Sequence, residues 1–273
     1  MKILDTNSVT TSKLAQLKQD GVQCVIRYIA SSNQSGKRVE EDEARAIAAA
    51  GLQLGLVFEN YGGVNNFQHA DINSVTGTQH GMFARQWAEH VGCPNGTIIW
   101  FAIDTDVVGR QYDTIVKPYL VTAKVALKNQ FRIGVYACGY VCQRALDDKV
   151  VDATWLTQSM GWNGSRDFRN TNRWVLLQGP EQTIHNLSID TDVSNGTDFG
   201  AFTPFGLAPP QNPPATGPIH DEKWLQATLN KLGATPPIDE DGDIGPFTIR
   251  AMIAYLEKQP IPGEGGGISV VVS

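Results

Sequence analysis

The chain has 273 residues, 41% of them hydrophobic and 18% charged, with a formal net charge of -6 at pH 7. That length suits one large domain with a small appendage, and the composition is that of a folded globular protein. The acidic balance and the lack of a Lys/Arg cluster argue against nucleic acid as a partner, which would need a basic patch. No apolar run approaches the roughly 18 to 20 residues that cross a bilayer.

The N-terminus runs straight into a strand pattern at Lys2, with no basic start, apolar run or small-residue cleavage site, so no Sec signal is read there. Short β-branched runs then alternate with helical patterns. The predicted strands are Lys2 to Asp5, Cys24 to Ile29, Leu52 to Glu59, Thr97 to Asp104, Arg132 to Cys138, Ala153 to Gln158, Arg173 to Gln178 and a short one ending at Asp190. Helical spacing of apolar residues marks Thr11 to Gln19, Glu40 to Ala50, Gln79 to His90, Gln111 to Lys128 and Gly139 to Asp147. Strand and helix repeated eight times predict parallel strands covered by helices, a (β/α)8 TIM-like barrel over residues 1–203. An open doubly wound sheet is the structural alternative.

The four cysteines, Cys24, Cys93, Cys138 and Cys142, sit in apolar surroundings and read as buried thiols of a reduced compartment. Cys138 and Cys142 could share a helix face, but no neighbours complete a metal set, and neither a metal nor a cofactor is expected. A proline-rich linker over 204–219 favours extended backbone. A small all-α domain is predicted over 220–260 and a flexible, Gly-rich tail over 261–273.

A β/α barrel places its site at the C-terminal ends of the strands, because that face carries the variable loops. Those ends read Leu4-Asp5-Thr6-Asn7, Ile26-Arg27-Tyr28, Val57-Phe58-Glu59-Asn60-Tyr61, Phe101-Ala102-Ile103-Asp104-Thr105-Asp106, Val135-Tyr136, Thr154-Trp155, Leu177-Gln178 and Ser188-Ile189-Asp190-Thr191-Asp192. One Asp after a strand is usually a cap or turn former. Carboxylates at four of eight ends suggest a shared mouth in which like charges raise one another's pKa, leaving one group protonated as a general acid and another ionised. The catalytic candidates are Glu59, Asp104, Asp5, Asp190 and Asp106. Tyr28, Tyr61, Tyr136, Trp155 and Gln178 are candidate substrate-binding residues, the aromatic ones offering flat faces for sugar rings or simply packing the rim. Asp192 reads as a turn residue.

In their order, Leu-Asp-Thr-Asn, Val-Ile-Arg-Tyr, Gly-Leu-Val-Phe-Glu-Asn, Ile-Trp-Phe-Ala-Ile-Asp-Thr-Asp and Gly-Val-Tyr resemble the bacterial glycoside-hydrolase-like family known as domain of unknown function 1906. That family is in turn similar to the family 25 lysozymes, which cleave peptidoglycan from a β/α barrel. The resemblance covers about residues 1 to 200. It implies that Asp5, Asp104 and Asp190 match acidic positions lining the lysozyme site and that Glu59 matches the acidic position of the glycoside-hydrolase-like family. The chain departs from the lysozymes in having Asp104-Thr105-Asp106 where they carry Asp-x-Glu with the Glu as general acid. The shorter Asp106 would sit about one methylene farther from substrate. Glu59 is therefore the expected general acid, and Asp104 the group that stabilises oxocarbenium-like charge or orients a substrate acetamide.

In the small domain, Leu-Gln-x-x-Leu-Asn-x-Leu-Gly followed by Asp-x-Asp-Gly-Asp-Ile-Gly-Pro-x-Thr is similar to the peptidoglycan-binding domain type 1 of cell-wall hydrolases, which implies peptidoglycan as its ligand. A calcium loop on Asp239, Asp241 and Asp243 is disfavoured, since Gly242 falls at position 4 rather than 6 and position 12 is Arg250. The expected function is a monomeric, lysozyme-like, peptidoglycan-directed glycoside hydrolase. It would be made in the cytoplasm and act at the wall or outside, after lysis or non-Sec export. The alternatives are a non-catalytic wall-glycan-binding protein and a glycosidase of another polysaccharide.

Overall fold

The computed structural model describes residues 1–31, 36–61, 71–206, 222–242 and 246–257. The chain divides into two compact units, Met1–Ala215 and Thr216–Ser273. Beyond residue 206 the expected linker lies outside the described residues, as does the expected tail.

The large unit is a closed barrel in which each strand pairs with the next and the eighth returns to the first. Its strands are β1 (Lys2–Thr6), β2 (Val22–Ile29), β3 (Gln53–Phe58), β4 (Ile98–Ala102), β5 (Arg132–Ala137), β6 (Ala153–Leu156), β7 (Leu176–Ile184) and β8 (Leu187–Ser194). The outer helices are α1 (Leu14–Gln19), α2 (Glu41–Ala49), α3 (Ser74–His90), α4 (Lys117–Ala126), α5 (Gly139–Asp147) and the short α6 (Ser165–Arg169). The closed barrel excludes the open doubly wound alternative.

Strand periodicity of two sorts the apolar residues into two cores. Leu4, Val25, Leu56, Phe101 and Val135 face the helices in the larger cluster. Ile3, Ile26, Val57, Trp100, Trp155 and Leu176 fill the barrel itself. Gly134 is required here, because a Cβ at that position would collide with the Trp100 ring. Trp100 in turn donates its indole N–H to the Phe199 carbonyl at 3.1 Å, and Phe202 bridges to Leu54 at the start of β3. These contacts close the end of the barrel opposite the mouth.

One expectation fails: the strands are not all parallel. β8 is antiparallel to both β7 and β1. A parallel strand would need a crossover of about a dozen residues, and only His185 and Asn186 separate β7 from β8. Both take positive φ, 49° and 64°, as a two-residue hairpin demands. The register of β7 shifts between Gln178 and Glu181, where Pro180 has no N–H to give the ladder.

Two helices also differ from expectation. α3 begins at Ser74 rather than Gln79, because Asn73 makes a capping box with Thr76 and starts the helix through a Gly-containing first turn. The expected helix from Gln111 opens instead as a π-turn over Tyr112–Val116 before α4. Pro118 lacks the N–H that an α-helix would pair with the Thr114 carbonyl, which accounts for the local change of register.

In the small unit, α7 (Glu222–Lys231) and α8 (Pro246–Glu257) bury Leu229, Ile238, Ile249 and Met252. Two amides one helical turn apart tie the intervening loop to α7. Gln226 donates to Asp241 Oδ1 and accepts from the Gly242 N–H, both at 2.8 Å. Asn230 donates to the Ile238 carbonyl and accepts the Ile238 N–H, both at 2.7 Å. Asp241 thus serves the loop's own architecture; Asp243 lies outside the described residues.

Candidate functional site

The last inward-facing positions of successive strands meet at the barrel mouth. They form a cleft of about 440 Å³ whose lining includes Glu59, Asp104, Asp190, Tyr28, Tyr136, Trp155 and Gln178. Each was readable as a strand-end residue, although Asp190 arrives by another route. It lies mid-strand in a β8 that runs away from the mouth, directly opposite Asp5 of β1.

A relay fixes the Asp190 carboxylate. Tyr136 donates its hydroxyl to Gln178 Oε1 at 2.7 Å, which turns Gln178 Nε2 toward Asp190 Oδ2 at 3.2 Å. Gln158 Nε2 approaches the other oxygen at 3.4 Å. Burial, with Glu181 and Asp104 nearby, raises the Asp190 pKa to about 6. Glu59 is paired with Lys37, Nζ to Oε2 at 2.8 Å, and Lys37 also stands 5.0 Å from the Tyr28 ring centre. Burial raises the Glu59 pKa, while the Lys37 charge and hydrogen bond oppose that rise.

Asp5 lies beneath the cleft and does not line it. Its side chain is buried and accepts the Tyr28 hydroxyl at 3.2 Å. Burial, and then the Asp190 charge, raise its pKa to about 8. Asp192 is a correction to the sequence reading: it is a buried β8 residue beside Gln178 and Ile3, not a turn residue. Both its oxygens, Asp5 Oδ2 and the Trp155 indole nitrogen are buried without a hydrogen-bond partner. Burial and the Asp5 carboxylate push the Asp192 pKa well above the usual range, so this pair holds a proton where water would not.

Three expected residues take other places. Asp106 is not in the lining; its Oδ1 accepts the Asn163 N–H at 2.8 Å and fixes the loop after β6. Tyr61 is exposed and outside the lining. Trp155 borders the cleft but is only 1% exposed, packed edge-on against Tyr136 and Trp100, so it has no free face for a sugar ring.

The lining also holds Asn7 and Gln158, which stood at predicted strand ends without being singled out, and Lys37, Ser159 and Trp162, which strand-end reading missed because they lie on loops. The signal that could have found them was loop position after β1, β2 and β6 at the C-terminal face. Lys37 is held by the buried pair Arg27–Glu43. Arg27 binds Glu43 through Nε and Nη2 at 2.9 and 3.0 Å and donates to the carbonyls of Thr6, Gly36 and Lys37.

Behind Glu59, the Ser31 N–H donates to Asn60 Oδ1 at 2.8 Å, which points Asn60 Nδ2 at Asp71 and at His80 Nε2, both 3.1 Å away. His80 Nε2 must therefore accept, and its proton sits on Nδ1, facing the Tyr119 hydroxyl at 3.1 Å. Burial lowers the His80 pKa to about 4, in keeping with a neutral ring. The four cysteines are buried thiols, and no cluster of three His, Cys, Asp or Glu suited to a metal occurs among the described residues. A groove of about 340 Å³ within the small unit is lined by Leu232, Thr235, Phe247, Arg250 and Tyr255 among others.

Residues 15–201 match the Rv2525c-like, glycoside hydrolase-like domain family, about two thirds of the chain. The chain belongs to this family. The uncharacterized protein FadG of Bacillus subtilis is 25% identical over 215 residues, covering 75% of this chain and 36% of FadG. The uncharacterized protein YbfG of the same organism is 26% identical over 254 residues, 86% of this chain and 33% of YbfG. The chain thus spans about a third of the length of these curated relatives. The Tat-secreted protein Rv2525c of Mycobacterium tuberculosis, in complex with HEPES, shares the fold with a TM-score of 0.64 at 22% identity over 73% of this chain and 98% of that one. No helix among the described residues is long and apolar enough to cross a membrane.

Proposed function

We propose that the barrel is a glycoside hydrolase of cell-wall glycan, with Glu59 as general acid and Asp104 as the carboxylate that stabilises developing positive charge or orients a substrate acetamide. The observation that carries this reading is the convergence of Glu59, Asp104 and Asp190 in one cleft walled by Tyr28, Tyr136 and Trp162. Glycosidic cleavage needs a protonated and an ionised carboxyl on either side of the bond, and environments that raise pKa by unequal amounts supply such a division. Membership of a glycoside hydrolase-like family supports the same class of substrate. Asp190, oriented through Gln178, would hold substrate hydroxyls or water. The small unit would tether the barrel to peptidoglycan as a type 1 binding domain, with the groove beside Phe247 and Tyr255 as its contact. The Tat-secreted relative supports action outside the cytoplasm.

A non-catalytic glycan-binding role is the second reading, favoured by the Lys37–Glu59 pair, which opposes protonation of Glu59. The deciding measurement is release of reducing ends from purified peptidoglycan by wild type, Glu59→Gln and Asp104→Asn, each checked for folding. A hydrolase is expected to lose about 10²- to 10⁴-fold in rate on loss of its general acid. Binding by all three proteins with no release would establish the second reading.

A further inference from the structure

Among the described residues, Lys37 is the single cation lining the cleft, which otherwise presents Glu59, Asp104 and Asp190 as carboxylates. Its ammonium is 2.8 Å from Glu59 Oε2 and 3.4 Å from the Asn60 carbonyl, while its side chain keeps 20% exposure to the cleft against 10% for Glu59. Its backbone carbonyl is pinned by Arg27, so the base of the side chain is fixed while the long flexible stem can redirect its charge. A neutral sugar gives the ammonium no reason to leave Glu59. A carboxylate entering the cleft does, because it offers the same charge-assisted bond.

We propose that Lys37 is a partner-exchange residue that recognises the carboxylate of an acidic sugar and releases Glu59 in doing so. This rests on the reading of the cleft as a glycan site and adds its preference for an acidic residue over a neutral one. With the ligand carboxylate on Lys37, Glu59 keeps the neighbours that disfavour its ionisation. These are Asp104 after β4 and Asp71 before α3, with the Tyr28, Tyr136 and Tyr119 rings around it, each of which feels its charge. Four carboxylates against one ammonium would be repulsive, so Glu59 takes a proton from solvent as the ligand binds, and the net charge of the cleft is unchanged. The exchange breaks one ion pair and forms another, and it leaves Glu59 in the acid form that protonation of a leaving group requires. An acidic substrate thus arms its own general acid, while a neutral one leaves Glu59 ionised.

The test compares two disaccharides that differ in a single lactyl carboxylate, N-acetylglucosaminyl-N-acetylmuramic acid and di-N-acetylchitobiose, by titration calorimetry of the full chain at pH 7. Two buffers of unlike ionisation enthalpy report the protons exchanged. Wild type is expected to take up about one proton with the acidic disaccharide and none with the neutral one, its affinity for the acidic sugar falling about tenfold per pH unit once free Glu59 is ionised. Glu59→Gln, which mimics the protonated acid, should bind the acidic sugar at least as tightly and without proton uptake. Lys37→Gln should lose the preference between the two sugars, on the order of tenfold. Equal binding of both sugars by wild type without a linked proton overturns the exchange and leaves the glycan reading standing, as does undiminished proton uptake by Glu59→Gln. Failure of both sugars to bind folded wild type overturns the two together.

Discussion

Asp192 shows at the scale of one residue how position changes a side chain's chemistry. On the strand surface it would be an ordinary ionised carboxylate; inside the barrel, buried and beside the Asp5 carboxylate, it keeps its proton. The consequence for stability has a definite sign. Asp5 is raised from 3.8 to about 8 in the folded chain, so the native state binds more protons than the unfolded one across that window, and stability falls as pH rises through it. Each proton so retained costs about 1.4 kcal/mol per pH unit. Asp192→Asn preserves the shape without needing the proton and takes one proton-retaining carboxyl out of the titration, while burial and the Asp190 charge still act on Asp5. Thermal denaturation from pH 5 to 8 is expected to show a shallower decline for Asp192→Asn than for wild type, with the variant the more stable at pH 8. A steeper decline in the variant would mean that Asp192 is ionised in the native state. None of this was legible in Ser-Ile-Asp-Thr-Asp, because an alternating polar pattern reads alike for a turn and for a strand whose inner face is polar. Glu59, by contrast, was legible, being the one Glu at a strand end. Its partner Lys37 was not, because the distance between residues 37 and 59 is closed only by the pairing of β2 with β3.

Among the elements, α3 and α4 pack through glycine. Gly77 and Gly81, one turn apart on α3, lie against α4 so closely that a Cβ at Gly81 would stand 2.6 Å from the Ala123 carbonyl, and one at Gly77 would meet Thr122 Oγ1 and the Tyr119 carbonyl. Thr122 donates its hydroxyl across the interface to the Ser74 carbonyl at 3.0 Å. Helix propensity alone would reward Gly81→Ala by up to about 1 kcal/mol. The packing argues the opposite, because the obstacle is backbone and cannot rotate aside. Gly81→Ala is expected to destabilise the barrel by about 1 to 3 kcal/mol in chemical denaturation, and a stabilised variant would show that the helices can separate without penalty. The same glycines explain why the sequence hid the first turn of α3. A stretch reading Ser-Val-Thr-Gly-Thr is a poor helix former, and it folds as helix because Asn73 caps it and α4 covers it. The reverse holds for the turn at His185 and Asn186. Without a glycine its hairpin signal is weak, although two residues between apolar runs leave no room for a crossover helix.

For the whole molecule, the division into a barrel and a small helical unit with its own core of Leu229, Ile238, Ile249 and Met252 makes tethering a property separable from chemistry. A chain ending at Gly206 is expected to melt as the barrel does in the full chain. On the proposed reading it should also cleave soluble glycan at an unchanged rate while losing roughly a hundredfold in activity on insoluble wall at low protein concentration. Equal activity of both forms on insoluble wall would remove the tethering role. By itself the sequence determined the number of strands, the closed barrel as the expected fold, the mouth as the place to look and most of the carboxylates found there. These follow from local rules: a period of two in strands, a longer one in helices, and loops at one face. Only the tertiary structure decided the direction of β8, the burial of Asp5 and Asp192, the pairing of Lys37 with Glu59 and the diversion of Asp106 to a loop. Each depends on which distant segments are brought into register, and a linear pattern carries the period of a strand but not the identity of the side chain that will face it.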